Sequence, residues 1–392
     1  MRYKILMTPM IYSILATIML IAGCMNPGES QNNNTKNQVL GATEETDTIN
    51  WFNNSPNQQG RDAILFEEGA YEKRDICSIQ MDGTGYVNLT EGNGADNYNP
   101  SWSPDRKMIA YLSKDGENTF IKTMNNDGTK TRTLKLICAD SSICFNCEYA
   151  RPEWSPDGKS IAFTAINIIN TDQIANRDQT RNNAAEDLYV IDIYNGNCRK
   201  LSNVQNSLSK LCSIMGGYRH PVWSPDGNKI AFVSKYKNNP NSYDIQIINL
   251  AGTVSDTIEN GMAPCFIKDD NHLLYESAGI EMLNLDSGLK SIITQGNNPL
   301  VAPNNDKMAF QNRRDTYILD LTNNKLTKLE IDTYWMYFKA GTYAWSPDSK
   351  HLAIIMTDVK DLHFSNIYVI DIETGKLRNI TNKAANYPKI TW

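Results

Sequence analysis

Short apolar and β-branched runs alternate along this chain with clusters of Ser, Pro, Asp, Asn and Gly. Runs such as Ile161-Ala162-Phe163, Ile230-Ala231-Phe232-Val233 and Ile367-Tyr368-Val369-Ile370-Asp371 predict strands, and the polar clusters predict turns. One frame recurs. Trp102 is followed nine positions later by Tyr111, Trp154 by Phe163, Trp223 by Phe232 and Trp345 by Ile354. Ser-Pro-Asp follows each tryptophan, at Ser103, Ser155, Ser224 and Ser346. Phe266 to Tyr275 and Val301 to Phe310 repeat the spacing without tryptophan. Proline fixes φ in the turn, and Gly or Asn accepts positive φ near its end. A strand therefore ends on the Trp, turns, and returns as the second strand of a hairpin.

Two further strands complete each repeat, one closing on an acidic or Asn/Gly turn (Leu188 to Asp192, Tyr317 to Asp320) and one ending in Leu-Thr, Leu-Ser or Ile-Thr. Four short antiparallel strands cannot bury both faces alone, so the repeats must stack around an axis. The copies recur at intervals of 35 to 69 residues, bracketing the period of propeller blades. The expected fold is all-β, a seven-bladed β-propeller over residues 51–392. Its blades fall near 62–90 plus 387–392, 98–136, 150–202, 219–258, 262–294, 297–329 and 342–381. The first blade lacks an innermost strand of its own, and the chain ends on Tyr387-Pro388-Lys389-Ile390-Thr391-Trp392. That last segment is predicted to pair into blade 1 and close the ring, removing exposed edges.

Residues 1–23 lie outside this pattern. Arg2 and Lys4 precede an apolar run from Ile5 to Ile21, which ends in Ile21-Ala22-Gly23-Cys24. That is the layout of a secretory signal, and its end resembles the bacterial lipobox. The resemblance implies cleavage before Cys24 and acylation there, with stable anchoring by more than one chain. The apolar run is short for a membrane span. Residues 24–50, Asn-rich and without periodicity, read as a disordered tether. The expected location is the extracytoplasmic side of a cell membrane, held by the lipid.

The chain carries 38 Lys+Arg against 44 Asp+Glu, a formal net charge of −6. With no basic stripe, nucleic acid is not the expected partner. Of the eight cysteines, Cys77 and Cys265 fall on predicted strands as small buried residues. Cys138, Cys144, Cys147 and Cys212 crowd two blade connections, where disulfides, a zinc site or free thiols all remain open.

The Trp-Ser-Pro-Asp-Gly copies with the following Ile-Ala-Phe strand resemble the TolB-like, or PD40, propeller repeat across residues 62–392. The Tol-Pal member of that family carries an N-terminal domain and six blades. This chain departs from it by its lipobox, its tether and its seventh blade, so that envelope role is not carried over. The repeat is also similar to the propellers of prolyl-oligopeptidase-type peptidases. No Gly-x-Ser-x-Gly nucleophile elbow occurs in the chain, so that activity is not expected. Oligogalacturonate lyases, seven-bladed propellers of similar repeat, hold a metal with axial histidines. Of the four His here, only His220 is predicted near the axis, and no metal or cofactor is assigned.

Trp102, Trp154, Trp223, Trp345 and Trp392 recur in the frame as core residues would, and Asp105, Asp157, Asp226 and Asp348 recur as turn formers. Function is sought where the copies differ. The longest insertions, 138–149, 165–186, 203–217 and 330–342, all emerge on one face, and loops on a rigid scaffold carry binding. Tyr334, Trp335, Tyr337 and Phe338 form the densest aromatic cluster, suited to stacking on a sugar or anchoring a peptide or to lying as a lid. Arg151, Tyr218, Arg219 and His220 are predicted to border the axis. The expectation is a non-catalytic, monomeric binding or scaffold module for an envelope protein, peptide or glycan. A metal-dependent polysaccharide lyase is the alternative.

Overall fold

The computed structural model describes residues 38–41, 62–116, 118–134, 151–167, 185–202, 221–235, 243–267, 269–313, 315–331, 336–337, 343–358, 365–381, 387 and 389–392. All of them belong to one compact unit, Asn37–Trp392. Within it, seven four-stranded antiparallel sheets follow one another as the blades of a propeller. The innermost strands are Asp96–Trp102, Glu153–Trp154, Val222–Trp223, Met262–Phe266, Asn297–Val301 and Tyr343–Trp345 for blades 2 to 7. Blade 1 takes its innermost strand from Ile390–Thr391, which pairs antiparallel with Ile64–Glu68 in the register Leu65↔Thr391 and Phe66↔Ile390. The blade count and the closure read from the sequence are both borne out.

The innermost strands of blades 3 and 4 are shorter than their predicted spans, which began near 150 and 219. Pro152 and Pro221 precede them directly, and a proline cannot donate to a ladder. Two additions were not expected. Gln38–Gly41, inside the stretch read as a tether, forms a strand paired parallel with the outermost strand of blade 6, Leu326–Glu330. It covers a row of edge groups that would otherwise be unpaired. Met336–Tyr337, inside the aromatic cluster, pairs antiparallel with Thr357 and Asp358 of blade 7.

The repeat frame becomes geometry in two recurring devices. In the turns, the Ser hydroxyl donates to the Asp carboxylate, at 2.8 Å for Ser103–Asp105, 2.6 Å for Ser155–Asp157 and 2.5 Å for both Ser224–Asp226 and Ser346–Asp348. The same carboxylates accept the backbone N–H two residues on, for example Lys159 N to Asp157 at 3.0 Å. The residue after Asp adopts positive φ whether it is Gly158, Gly227, Arg106 or Ser349; glycine relaxes the strain there but is not required.

Three frame tryptophans tie their blade to the inner strand of the blade before. Trp154 Nε1 donates to Ser101 O at 3.3 Å, Trp223 to Glu153 O at 3.1 Å, and Trp345 to Leu300 O at 2.9 Å. Trp392 Nε1 donates instead to Asp62 O at 2.9 Å. Trp102 has the Arg106 guanidinium over its ring at 4.5 Å. The apolar core lies between blades: Trp154 packs in one layer with Tyr98, Leu112 and Phe163, and Trp345 in another with Leu329, Ile354 and Tyr368.

Candidate axial site

Two blades that are not neighbours can touch only along the axis. Arg151, two residues before the innermost strand of blade 3, donates from Nη2 to Thr391 Oγ1 of blade 1 at 3.2 Å, past blade 2. Its Nε lies 2.8 Å from Glu153 Oε1. Lys389 of blade 1 donates from Nζ to Asn99 Oδ1 of blade 2. Thus Arg151, Glu153, Lys389, Thr391 and Asn99 gather on one side of the axis. The Arg151 and Glu153 side chains keep 29% and 20% of their surface exposed, enough for a ligand to reach them. Burial pushes the Glu153 carboxyl up, while the charges of Arg151 and Lys389 pull it down. One position before the frame tryptophan or its substitute, blades 4 to 7 carry Val222, Cys265, Leu300 and Ala344; three positions before it they carry His220, Ala263, Asn298 and Thr342.

Backbone geometry prepares this wall. Three positions before each frame tryptophan or its substitute, Asn99, Ala263 and Asn298 have φ of 54°, 49° and 55°, at β-bulges in the inner strands of blades 2, 5 and 6. A bulge leaves an N–H out of the ladder. Glu67 Oε1 accepts that of Asn99 at 2.7 Å, and Glu276 Oε2 that of Asn298 at 3.1 Å. Glu67 and Glu276 each follow the hub aromatic, Phe66 or Tyr275. Glu67 is fully buried and lies 3.6 Å from Arg74, which forms a bidentate pair with Asp96 at 2.9 and 2.6 Å. The Arg74 guanidinium also lies over the Tyr98 ring at 4.1 Å.

Of the binding residues proposed from the sequence, the described structure contains Arg151 and the backbone of Tyr337. Tyr218, Arg219, His220, Tyr334, Trp335 and Phe338 lie outside the described residues, as do Cys24, Cys138, Cys144, Cys147 and Cys212. Cys77 and Cys198 are buried and Cys265 is half-buried, all three as free thiols; burial pushes Cys77 up to about 12. Among the described residues no three His, Cys, Asp or Glu side chains gather as a metal site. His272 and His351 sit with Asp269, at 2.6 Å, and with Asp348 and Asp371, at 3.7 and 3.5 Å, where the tight turns end and away from Arg151. Sequence reading missed Glu153, Lys389, Thr391 and Asn99. The signal was available, because all four stand one or three positions before a frame tryptophan.

No family model matches the chain. It is 24% identical over 347 residues to dipeptidyl-peptidase 5 of Porphyromonas gingivalis, a match covering 80% of this chain and 44% of that protein. The chain thus spans less than half the length of this curated relative. Among solved structures, the fold is similar to an oligogalacturonate lyase in complex with manganese (TM-score 0.57, 15% identity, 79% of this chain and 86% of the other). A puromycin-hydrolyzing peptidase of Mycobacterium tuberculosis gives 0.57 at 12% identity, over 82% and 53%. TolB of Acinetobacter baumannii gives 0.52 at 14%, over 84% and 66%. At these identities the structures carry the fold alone, shared among binding proteins, peptidases and a lyase. The expectation that the chain is not an enzyme is overturned: its curated relative is named a peptidase, and hydrolases appear among its structural neighbours. The sequence argument failed because a propeller repeat reports a scaffold, and the scaffold constrains chemistry very little.

Proposed function

We propose that this chain engages peptides in a peptide-hydrolysing protein, taking them at the axial cluster and the loop-rich face around it. The likeness to a dipeptidyl-peptidase over 80% of the chain supports the reaction class. The observation that carries the assignment to the axis is the meeting there of Arg151, Glu153 and Lys389 from blades 1 and 3, partly open and of both signs. A peptide presents carboxylate, ammonium and amide groups, all of which this set can pair. The aromatic segment 334–338 would add side-chain contacts, and acylation at Cys24 would hold the protein at the outer side of a membrane. The lyase reading rests on His220, which lies outside the described residues.

The test is calorimetry of the full chain in detergent against short peptides, with mass spectrometry of the same mixtures for released dipeptides. Saturable binding, weakened when Trp335 and Tyr337 are both replaced by Ala without change in melting temperature, is the expected result. Neither binding nor release would overturn the proposal. Metal-dependent cleavage of a polyuronide would replace it with the lyase.

A further inference from the structure

The axial cluster has a charge pattern that narrows what it takes. Among the described residues, the cations Arg151 and Lys389 both act on Glu153, whose own burial disfavours its charge. The next carboxylates outward are directed elsewhere. Glu67 is committed to the Asn99 amide and Arg74, and Asp96 to the Arg74 side chain and backbone. Thr391 of blade 1 accepts from Arg151 and Asn99 of blade 2 from Lys389, which holds the two cations in place. At the position that Glu153 and Thr391 take in blades 3 and 1, blades 4, 6 and 7 carry the apolar Val222, Leu300 and Ala344. A guanidinium offers five donors in a planar fork that matches a carboxylate; among the described residues Thr391 accepts from one Nη, while Nε lies 2.8 Å from Glu153 Oε1 without a hydrogen bond.

We infer that Arg151 and Lys389 form a carboxylate-binding site on the axis, and that its ligand is the C-terminal carboxylate of a peptide. This rests on the peptide reading above and goes beyond it by naming which end of the peptide enters the axis. The carboxylate seats between the Arg151 fork and the Lys389 ammonium, while the residues preceding it run out toward the loop-rich face. Arg151 and Lys389 each stand three positions before a frame tryptophan, Trp154 and Trp392.

The experiment compares one N-acetylated tripeptide as its free acid and as its C-terminal amide, with digalacturonate as a carboxylate from another source. Binding is measured calorimetrically to the full chain and to Arg151→Met, Lys389→Met and Lys389→Arg, with melting temperatures recorded for all. The free acid should bind at least about tenfold more tightly than the amide, since a charge-assisted pair is lost. That preference should vanish in Arg151→Met, fall in Lys389→Met and survive in Lys389→Arg, with melting temperatures held. Equal binding of acid and amide to the native chain would overturn the inference while leaving peptide engagement intact. Binding of neither would overturn both. Digalacturonate binding that requires Arg151, without binding of the acid tripeptide, would assign the site to an acidic sugar and overturn the peptide ligand.

Discussion

Removing the closing strand, residues 386–392, tests the ring at its seam. Ile390 and Tyr387 are each 5% exposed and Thr391 6%. Tyr387 meets the Phe66 ring edge-on at 5.4 Å, and Ile390 packs in one layer with Phe66, Ala353 and Val369. The ladder Leu65↔Thr391 and Phe66↔Ile390 goes too, with the bonds from Glu67 N to Lys389 O at 3.1 Å and from Trp392 Nε1 to Asp62 O at 2.9 Å. Truncating a buried Ile costs about 2–5 kcal/mol and a buried aromatic about 3–5 kcal/mol. Losing Tyr387 and Ile390 alone therefore removes about 5–10 kcal/mol, against a total stability of about 5–15 kcal/mol. Deletion should leave a chain that is unfolded or aggregated at 25 °C. Ile390→Ala alone should lower stability by about 2–5 kcal/mol, while Ile292→Ala, at a side chain 65% exposed on the rim of blade 5, should change it by less than about 0.5 kcal/mol. The assay is urea unfolding followed by tryptophan fluorescence. A deletion variant that keeps the full-length midpoint would show that the ring does not depend on its last strand.

The remaining predictions concern charge and anchoring. Glu67→Leu leaves the Asn99 amide without its acceptor and Arg74 with one carboxylate, and should cost about 3–5 kcal/mol in the same urea assay; a loss below about 1 kcal/mol would refute the coupling of these groups. Hydrogen bonds from Ser155 and Thr129 lower the Asp157 and Asp127 carboxyls from the ordinary value of 3.8. Their stabilisation is present above pH 3.8 and is lost as pH falls through the lower folded values. Ser155→Ala should therefore move the acid-unfolding midpoint upward, and an unchanged midpoint would remove Asp157 from the account. Cys24→Ser should release the protein from the membrane fraction or leave an unprocessed precursor, as fractionation and intact mass will show; normal processing with membrane retention would end the lipid-anchor proposal.

The frame from Trp to the hub aromatic, with its Ser-Pro-Asp turn, was enough to derive blade architecture, number and closure from sequence. These are local properties: strand and turn preferences act over a few residues, and repetition forces the stacking that buries them. Asp157 could be read as a turn former because Ser155 and Lys159, its partners, are two residues away on either side. What the tertiary structure decided is which side chains meet across the ring. Arg151 and Thr391 lie 240 positions apart and touch at 3.2 Å, and no periodicity within a blade encodes a contact between blades 1 and 3. The bulges at Asn99 and Asn298 were equally invisible, because each depends on a carboxylate from the preceding blade to accept the displaced amide. Chemistry was legible least of all: strand pattern reports what must be buried, whereas chemistry depends on polar groups that only folding brings together.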